Sequence, residues 1–132
     1  MKEQKISKIA LVTGASRGIG AAIALDLAEN NIFVIGTATS DHGVKKIEES
    51  LKVNHQKGIG LILNVNDNLS IENLISNIEE NYGDIDILIN NAGVTKDNLL
   101  MKMKEEDWDK VINTNLKSVF KLSQSLIRKM IK

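Results

Sequence analysis

A glycine-rich segment near the amino terminus most constrains the fold of this chain. It reads Thr13-Gly14-Ala15-Ser16-Arg17-Gly18-Ile19-Gly20, and it directly follows the apolar run 9–12. This order predicts a buried strand, a tight turn and the start of a helix, because glycine adopts such turns without steric cost. The first backbone N–H groups of that helix, together with its dipole, favour bound phosphate. The segment therefore predicts a nucleotide-binding α/β fold.

Apolar runs alternate with amphipathic segments along the rest of the chain. Strands are predicted at 9–12, 32–35, 61–63 and 85–89, and helices at 19–29, 44–53 and 70–82, the last ending at Gly83. Strands that are apolar throughout are buried on both faces, and helices between them imply parallel β-α-β units. With right-handed crossovers, the simplest product is a Rossmann-like doubly wound parallel sheet of about four strands in the order 3-2-1-4.

One long helix is predicted from about Lys104 to the carboxyl end. Its apolar stripe recurs every three or four residues at Trp108, Ile112, Leu116, Val119, Ser123, Leu126 and Met130. Val111, Leu122 and Ile127 widen this stripe, so it is too broad for a single contact with a sheet. The simpler interpretation is a thoroughly buried core helix, and the alternative is that part of the helix packs against a second subunit.

Length, charge and composition limit the class of protein. The chain has 132 residues, 17 of them basic and 17 acidic, so it forms one domain at most and carries no net charge. We therefore expect neither nucleic acid nor a membrane as a partner. There is no cysteine, and His42 and His55 have no partner at ligand spacing, so no metal site is expected. A polar amino terminus and the lack of a long apolar run predict a cytoplasmic protein.

The residues after the second strand bear on which nucleotide is bound. NAD-preferring sites usually place an acidic residue there, where it bonds the ribose 2′-hydroxyl. This chain reads Gly36-Thr37-Ala38-Thr39-Ser40 and has no acidic residue until Asp41. Hydroxyl groups and Arg17 would instead accept a 2′-phosphate through charge-assisted hydrogen bonds. We therefore predict that the cofactor is NADP(H).

Two motifs resemble the short-chain dehydrogenase/reductase superfamily. The first is the Thr-Gly-x-x-x-Gly-x-Gly spacing of residues 13–20, and the second is Asn90-Asn91-Ala92-Gly93 at the end of the fourth strand. Within that superfamily the chain resembles the bacterial 3-oxoacyl-acyl-carrier-protein reductases over 34–40, 93–103, Trp108 and 113–116. The likeness extends from Lys8 to Lys132.

The resemblance implies roles for individual residues. Asn115 matches the helix asparagine of the family's catalytic tetrad, which organises a water molecule in the proton relay. A polar residue between Ile112 and Leu116 also predicts, on physical grounds alone, a helix kink or a buried hydrogen bond. The implied cofactor-binding set is Gly14, Ala15, Ser16, Arg17 and Ile19 for the phosphates, Thr39 for the adenosine, Asn64 and Val65 for the adenine, and Asn91, Ala92 and Gly93 for the nicotinamide ribose.

The family's proton donor has no counterpart in this chain. The family reduces a ketone with hydride from NADPH and a proton from a tyrosine, and its signature is a serine followed by Tyr-x-x-x-Lys. The single tyrosine here, Tyr82, is followed four residues later by Asp86, so it is interpreted as a packing residue. We therefore expect residues 1–132 to be a single, incomplete NADP(H)-binding Rossmann domain that is inactive by itself.

The resemblance implies a function in fatty acid biosynthesis. The expected reaction is NADPH-dependent reduction of a 3-oxoacyl group, bound to acyl carrier protein, to the 3-hydroxyacyl group, in homotetramers formed through the long helix. One alternative is another short-chain oxidoreductase acting on acyl-CoA, sugar or polyol substrates. The other is a non-catalytic nucleotide-binding remnant. The run 95–103 favours the first function, whereas the missing Tyr-x-x-x-Lys favours the remnant for the chain itself.

Overall fold

Strands and helices alternate along the chain in the computed structural model, which describes residues 7–93 and 102–131. The strands are β1 Ile9–Val12, β2 Phe33–Ala38, β3 Gly58–Ile62 and β4 Ile87–Ile89. The helices are α1 Gly18–Glu29, α2 Asp41–Val53, α3 Asn68–Asn81, α4 Glu105–Ile112 and α5 Ser118–Ile131, and a π-helical turn, Asn113–Lys117, joins the last two. Residues 94–101, which carry part of the resemblance, lie outside the described segments. No helix within those segments is long and apolar enough to cross a membrane.

The sheet is parallel, and its strand order is β3-β2-β1-β4. This order confirms the predicted 3-2-1-4 arrangement. In the register of the central strand, Ala10 lies beside Val34 of β2 on one side and Ile87 of β4 on the other. All four residues of β1 are buried, whereas the three residues of β4 are half-buried. Because the strands are parallel, the segments that leave their carboxyl ends meet at one edge of the sheet.

Helices cover both faces of the sheet and create two apolar clusters. Successive residues of a strand point to opposite faces, so Leu11 belongs to one cluster and Val12 to the other. Helices α1 and α2 supply the cluster around Val12, with Ala24, Ala28, Ile47 and Leu51. Helices α3 and α5 supply the cluster around Leu11, with Ile71, Leu74, Ile75, Ile78, Leu122 and Leu126.

Strand β3 begins three residues earlier than the apolar run 61–63 predicts, because it starts among glycines. Glycine is disfavoured in strands, but here α2 requires the space. A Cβ atom built on Gly60 would lie 2.9 Å from the backbone oxygen of Val44 in α2. The close approach of the helix thus explains why this strand contains glycine in spite of its low strand propensity.

The prediction of a thoroughly buried carboxyl-terminal helix is wrong. Trp108 and Leu116 are 55% and 66% exposed, respectively. The buried face consists of Thr114, Ser118, Leu122 and Leu126, which recur every four residues. The π-helical turn inserts one extra residue, and one residue corresponds to about 100° of helix rotation. The face that packs on the sheet therefore shares Leu126 with the stripe that begins at Trp108, and Leu122 with the residues that widen it, but otherwise differs from it.

Candidate nucleotide-binding site

A cleft of about 440 Å³ opens at the carboxyl ends of the strands. Segments that follow all four strands meet there, which is where open parallel sheets bind ligands. The lining residues are Gly14, Ser16, Arg17, Gly18, Thr37, Ala38, Thr39, Leu63, Asn64, Val65, Asn66, Asn91, Ala92, Gly93 and Thr114.

The cleft brings together most of the residues that the sequence predicts for the cofactor. The predicted residues that line it are Gly14, Ser16, Arg17, Thr39, Asn64, Val65, Asn91, Ala92 and Gly93. Ala15 and Ile19 are not among the lining residues: Ala15 is buried beneath the loop, and Ile19 is exposed on the first turn of α1. Asn115 lies next to the lining residue Gly93.

The start of the glycine loop is held against its two neighbours in the sheet. Gly14 has a φ of +64°, and a Cβ atom at this position would lie 2.9 Å from the Cα atom of Ala92. The amide of Ala15 donates to the backbone oxygen of Thr37 at 2.9 Å, and the amide of Gly14 donates to the hydroxyl of Thr37 at 3.3 Å. These two amides are therefore used within the protein, so a bound phosphate would meet the amides that come later in the loop.

The amino end of α1 lacks the side-chain cap that closes the next two helices. The hydroxyl of Ser40 accepts from the amide of Gly43 at the start of α2, and a carboxylate oxygen of Asp67 accepts from the amide of Leu69 at the start of α3. At α1 the N-cap residue is Arg17, which makes no side-chain capping bond, and no acidic residue lies in the first turn. The unsatisfied amides at this end of α1 fit an anionic ligand beside the cleft.

Thr13 and Asn91 hold the loop and the segment after β4 together. The Thr13 hydroxyl accepts from the amides of Asn91 and Ala92 at 3.0 and 2.9 Å. The carboxamide of Asn91 in turn donates to the backbone oxygen of Gly14 at 2.9 Å. Asn91 thus links the segment after β4 to the glycine loop, and Thr13, which is not among the predicted site residues, completes that link. A threonine that continues a fully apolar strand is the signal that points to it.

The segment after β3 forms another part of the cleft wall. The carboxamide oxygen of Asn64 accepts from the amide of Asn66 at 3.0 Å, and the amide of Asn64 donates to the hydroxyl of Ser70 at 3.1 Å. These bonds fix a tight turn whose residues Asn64, Val65 and Asn66 face the cleft. Asn66 was not among the predicted residues, because its position depends on the fold of this turn.

Asn115 lies in the π-helical turn and is half-buried. A Cβ atom built on Gly93 would lie 2.6 Å from the carboxamide oxygen of Asn115. Gly93 therefore provides the space that the Asn115 side chain occupies. Asn115 thus lies where a π-helical turn interrupts the regular α-helix, and such turns are frequent at functional sites.

Comparison with known proteins identifies the family of this chain. Residues 8–132 match the model of the family described as short chain dehydrogenase. The chain belongs to the short-chain dehydrogenase family. This membership confirms the resemblance predicted from residues 13–20 and 90–93.

The curated relatives of this short-chain dehydrogenase chain include several bacterial reductases. The 3-oxoacyl-acyl-carrier-protein reductases FabG of Salmonella typhimurium and Escherichia coli are each 56% identical to it over 125 residues. The protein of the same name from Pseudomonas aeruginosa is 50% identical over 125 residues. These matches cover 95% of this chain, and the chain spans about half the length of the relatives.

Proposed function

We propose that this chain is the NADP(H)-binding part of a reductase that converts 3-oxoacyl groups on acyl carrier protein into 3-hydroxyacyl groups. The family supports an oxidoreductase, and the names of the relatives support the 3-oxoacyl substrate. The observation that carries the cofactor assignment is the uncapped amino end of α1, which opens beside Arg17 in the cleft.

The phosphates would bind where backbone amides remain available. The amides of Gly14 and Ala15 are used by Thr37, so the candidates are the amides from Ser16 onward, at the positive end of the α1 dipole. Gly18 has a φ of +62°, and a Cβ built there would meet no atom within 4 Å. The surface at this point is therefore open toward a ligand.

The 2′-phosphate of NADP(H) would lie between Arg17 and Thr39, which both line the cleft. Within residues 7–93 and 102–131, no carboxylate forms an ion pair with Arg17, so its guanidinium group is available to a phosphate. The segment 36–40 supplies hydroxyl groups and no carboxylate that would repel the phosphate. Both features favour NADP(H) over NAD(H).

The experiment that tests this cofactor is a binding comparison with the two dinucleotides. We expect Arg17→Ala to weaken NADPH binding by roughly 1.5–3 kcal/mol, which is the contribution of one charge-assisted hydrogen bond. NADH has no 2′-phosphate, so its binding should stay almost unchanged. The matched control is Arg128→Ala, because Arg128 is the other arginine of the chain and is exposed on α5, away from the cleft. Isothermal titration calorimetry gives both affinities. Equal affinity for NADH and NADPH, unchanged by Arg17→Ala, would contradict the assignment.

The residues of this chain would bind and orient the reactants. When bound, the nicotinamide ring supplies the hydride. Asn91, Ala92 and Gly93 would form the wall beside the ring, and the π-helical turn would hold Asn115 against that wall. The chain has no Tyr-x-x-x-Lys sequence to supply the proton, so we expect no turnover of a 3-oxoacyl thioester by the purified chain. Clear oxidation of NADPH with that substrate would contradict this expectation.

Two other functions remain as alternatives. A short-chain oxidoreductase that acts on acyl-CoA, sugar or polyol substrates would use the same cleft for the same cofactor. A non-catalytic nucleotide-binding protein is favoured by one observation, the absence of Tyr-x-x-x-Lys from these 132 residues. If the chain binds NADPH without turnover, the result fits both a non-catalytic nucleotide-binding protein and the cofactor-binding part of a reductase. An in-frame Tyr-x-x-x-Lys in the coding sequence beyond Lys132 would exclude the non-catalytic protein.

A further inference from the structure

Thr114 makes a hydrogen bond that leaves its own helix. Its side chain is almost fully buried, and its hydroxyl donates to the carboxamide oxygen of Asn66 at 3.0 Å, across 48 residues of sequence. Serine and threonine within helices commonly bond a carbonyl one turn earlier. Ser118 does so with the backbone oxygen of Thr114, and Ser125 does so with that of Lys121. The bond to Asn66 therefore connects two distant parts of the chain.

The two ends of this bond lie in different parts of the cleft. Asn66 belongs to the turn on the predicted adenine side, and its own amide is held by the carboxamide oxygen of Asn64. Thr114 belongs to the π-helical turn and directly precedes Asn115, whose side chain lies against Gly93. The bond thus connects the turn on the adenine side of the cleft to the π-helical turn that carries Asn115.

We propose that Asn66 is a positioning residue, which holds the π-helical turn in place and transmits occupancy of the adenosine side of the cleft to that turn. This inference rests on the proposed cofactor site. A ligand against Asn64 and Val65 would restrict the turn after β3 and therefore fix the acceptor that Thr114 needs. Opening of the π-helical turn would become rarer, and Asn115 would remain in place for a larger fraction of the time.

The link is tested first without ligand, by amide hydrogen exchange of residues 115–118 in the 15N-labelled chain. We expect Asn66→Ala and Thr114→Val each to accelerate exchange roughly three- to tenfold, the range for one neutral hydrogen bond, and the double variant to accelerate it no further. Asn66→Asp and Thr114→Ser keep the acceptor and the donor, so we expect nearly the original rates. Asn68→Ala is the control, because Asn68 is also exposed and lies only two residues away.

These variants separate a hydrogen bond from a general loss of structure. Unchanged exchange in Asn66→Ala would overturn the proposal, and so would a double variant whose acceleration is the product of the two single effects. Equal acceleration in Asn66→Asp and Asn66→Ala would also overturn it. If Thr114→Val does not fold, the comparison of Asn66→Ala, Asn66→Asp and Asn68→Ala still decides.

The transmission is tested with 2′,5′-ADP, which has the adenosine with its 2′- and 5′-phosphates but lacks the second phosphate of the pyrophosphate and the nicotinamide half. At saturating 2′,5′-ADP we expect exchange of residues 115–118 to slow roughly three- to tenfold in the original chain, and to stay unchanged in Asn66→Ala. Equal slowing in both proteins would overturn the transmission. If the original chain does not bind 2′,5′-ADP, the proposed cofactor site fails together with the transmission, while the exchange experiment without ligand still decides whether Asn66 holds the turn.

Discussion

Two residues other than glycine follow a helix and adopt the left-handed backbone conformation. Asn31 follows α1 with a φ of 66°, and His55 follows α2 with a φ of 58°. In each case the next amide turns back onto the last turn of the helix, Ile32 onto Leu27 and Gln56 onto Leu51. Glycine usually occupies such a position, and asparagine tolerates it better than other residues because its short side chain bonds locally. His55 is therefore the more strained of the two.

We expect His55→Gly to raise the free energy of unfolding by about 0.5–1 kcal/mol. Relief of the left-handed strain, about 1–2 kcal/mol, exceeds the additional backbone entropy that glycine loses on folding. His55→Ala should bring no gain because alanine retains the Cβ atom, and Asn31→Gly should bring a smaller gain. Urea unfolding followed by circular dichroism measures all three. An equal gain from His55→Ala and His55→Gly would contradict the strain argument.

At the scale of residues, the sequence identifies the motifs of the site but not the bonds between them. Residues 13–20 and 90–93 are recognisable because their spacing is local. The bonds of Thr13 with Asn91 and of Asn66 with Thr114 cross 78 and 48 residues of sequence. They form because turns after different strands meet at one edge of the sheet, and no local spacing encodes that meeting.

Among the elements, α5 buries one face and exposes the other. Leu122 and Leu126 are each 1% exposed and belong to the cluster beneath the sheet, whereas Ile127 on the same helix is 55% exposed. We expect Leu122→Ala to lower the free energy of unfolding by about 2–5 kcal/mol, since it removes buried methyl groups and leaves a cavity. The control Ile127→Ala should change it by no more than about 0.5 kcal/mol. Denaturant unfolding tests both, and similar losses would contradict this orientation of α5.

The strands follow from their apolar runs more directly than the long helix follows from its stripe. Runs such as 9–12 predict a buried parallel strand, and the strand order then follows from right-handed crossovers. The helix stripe assumes a constant period of 3.6 residues, and the π-helical turn at Asn113–Lys117 interrupts that period. The sequence predicts a kink or a buried hydrogen bond at Asn115, but it does not predict the π-helical turn or the change of buried face that follows it.

The surface of the molecule carries an apolar hollow where α4, the π-helical turn and α5 meet. Ile112, Leu116, Val119 and Phe120, together with Lys117, line this hollow of about 340 Å³. Leu116 and Phe120 are 66% and 59% exposed. Neighbouring exposed apolar side chains gain free energy when a second apolar surface covers them. The hollow is therefore the place on the helix at which we test the homo-oligomer that the resemblance implies.

We expect the chain to associate in solution through this hollow. Leu116→Lys combined with Phe120→Lys should shift sedimentation toward the 14.5 kDa monomer, because each lysine places a charge where apolar side chains would meet. Val53→Lys is the control, because Val53 is 69% exposed but lies on α2, outside the hollow. Sedimentation velocity over a series of protein concentrations measures the effect. A chain that is monomeric at every concentration would contradict association through the hollow. An equal shift in Val53→Lys would contradict it as well, because a general increase in charge would then explain the change.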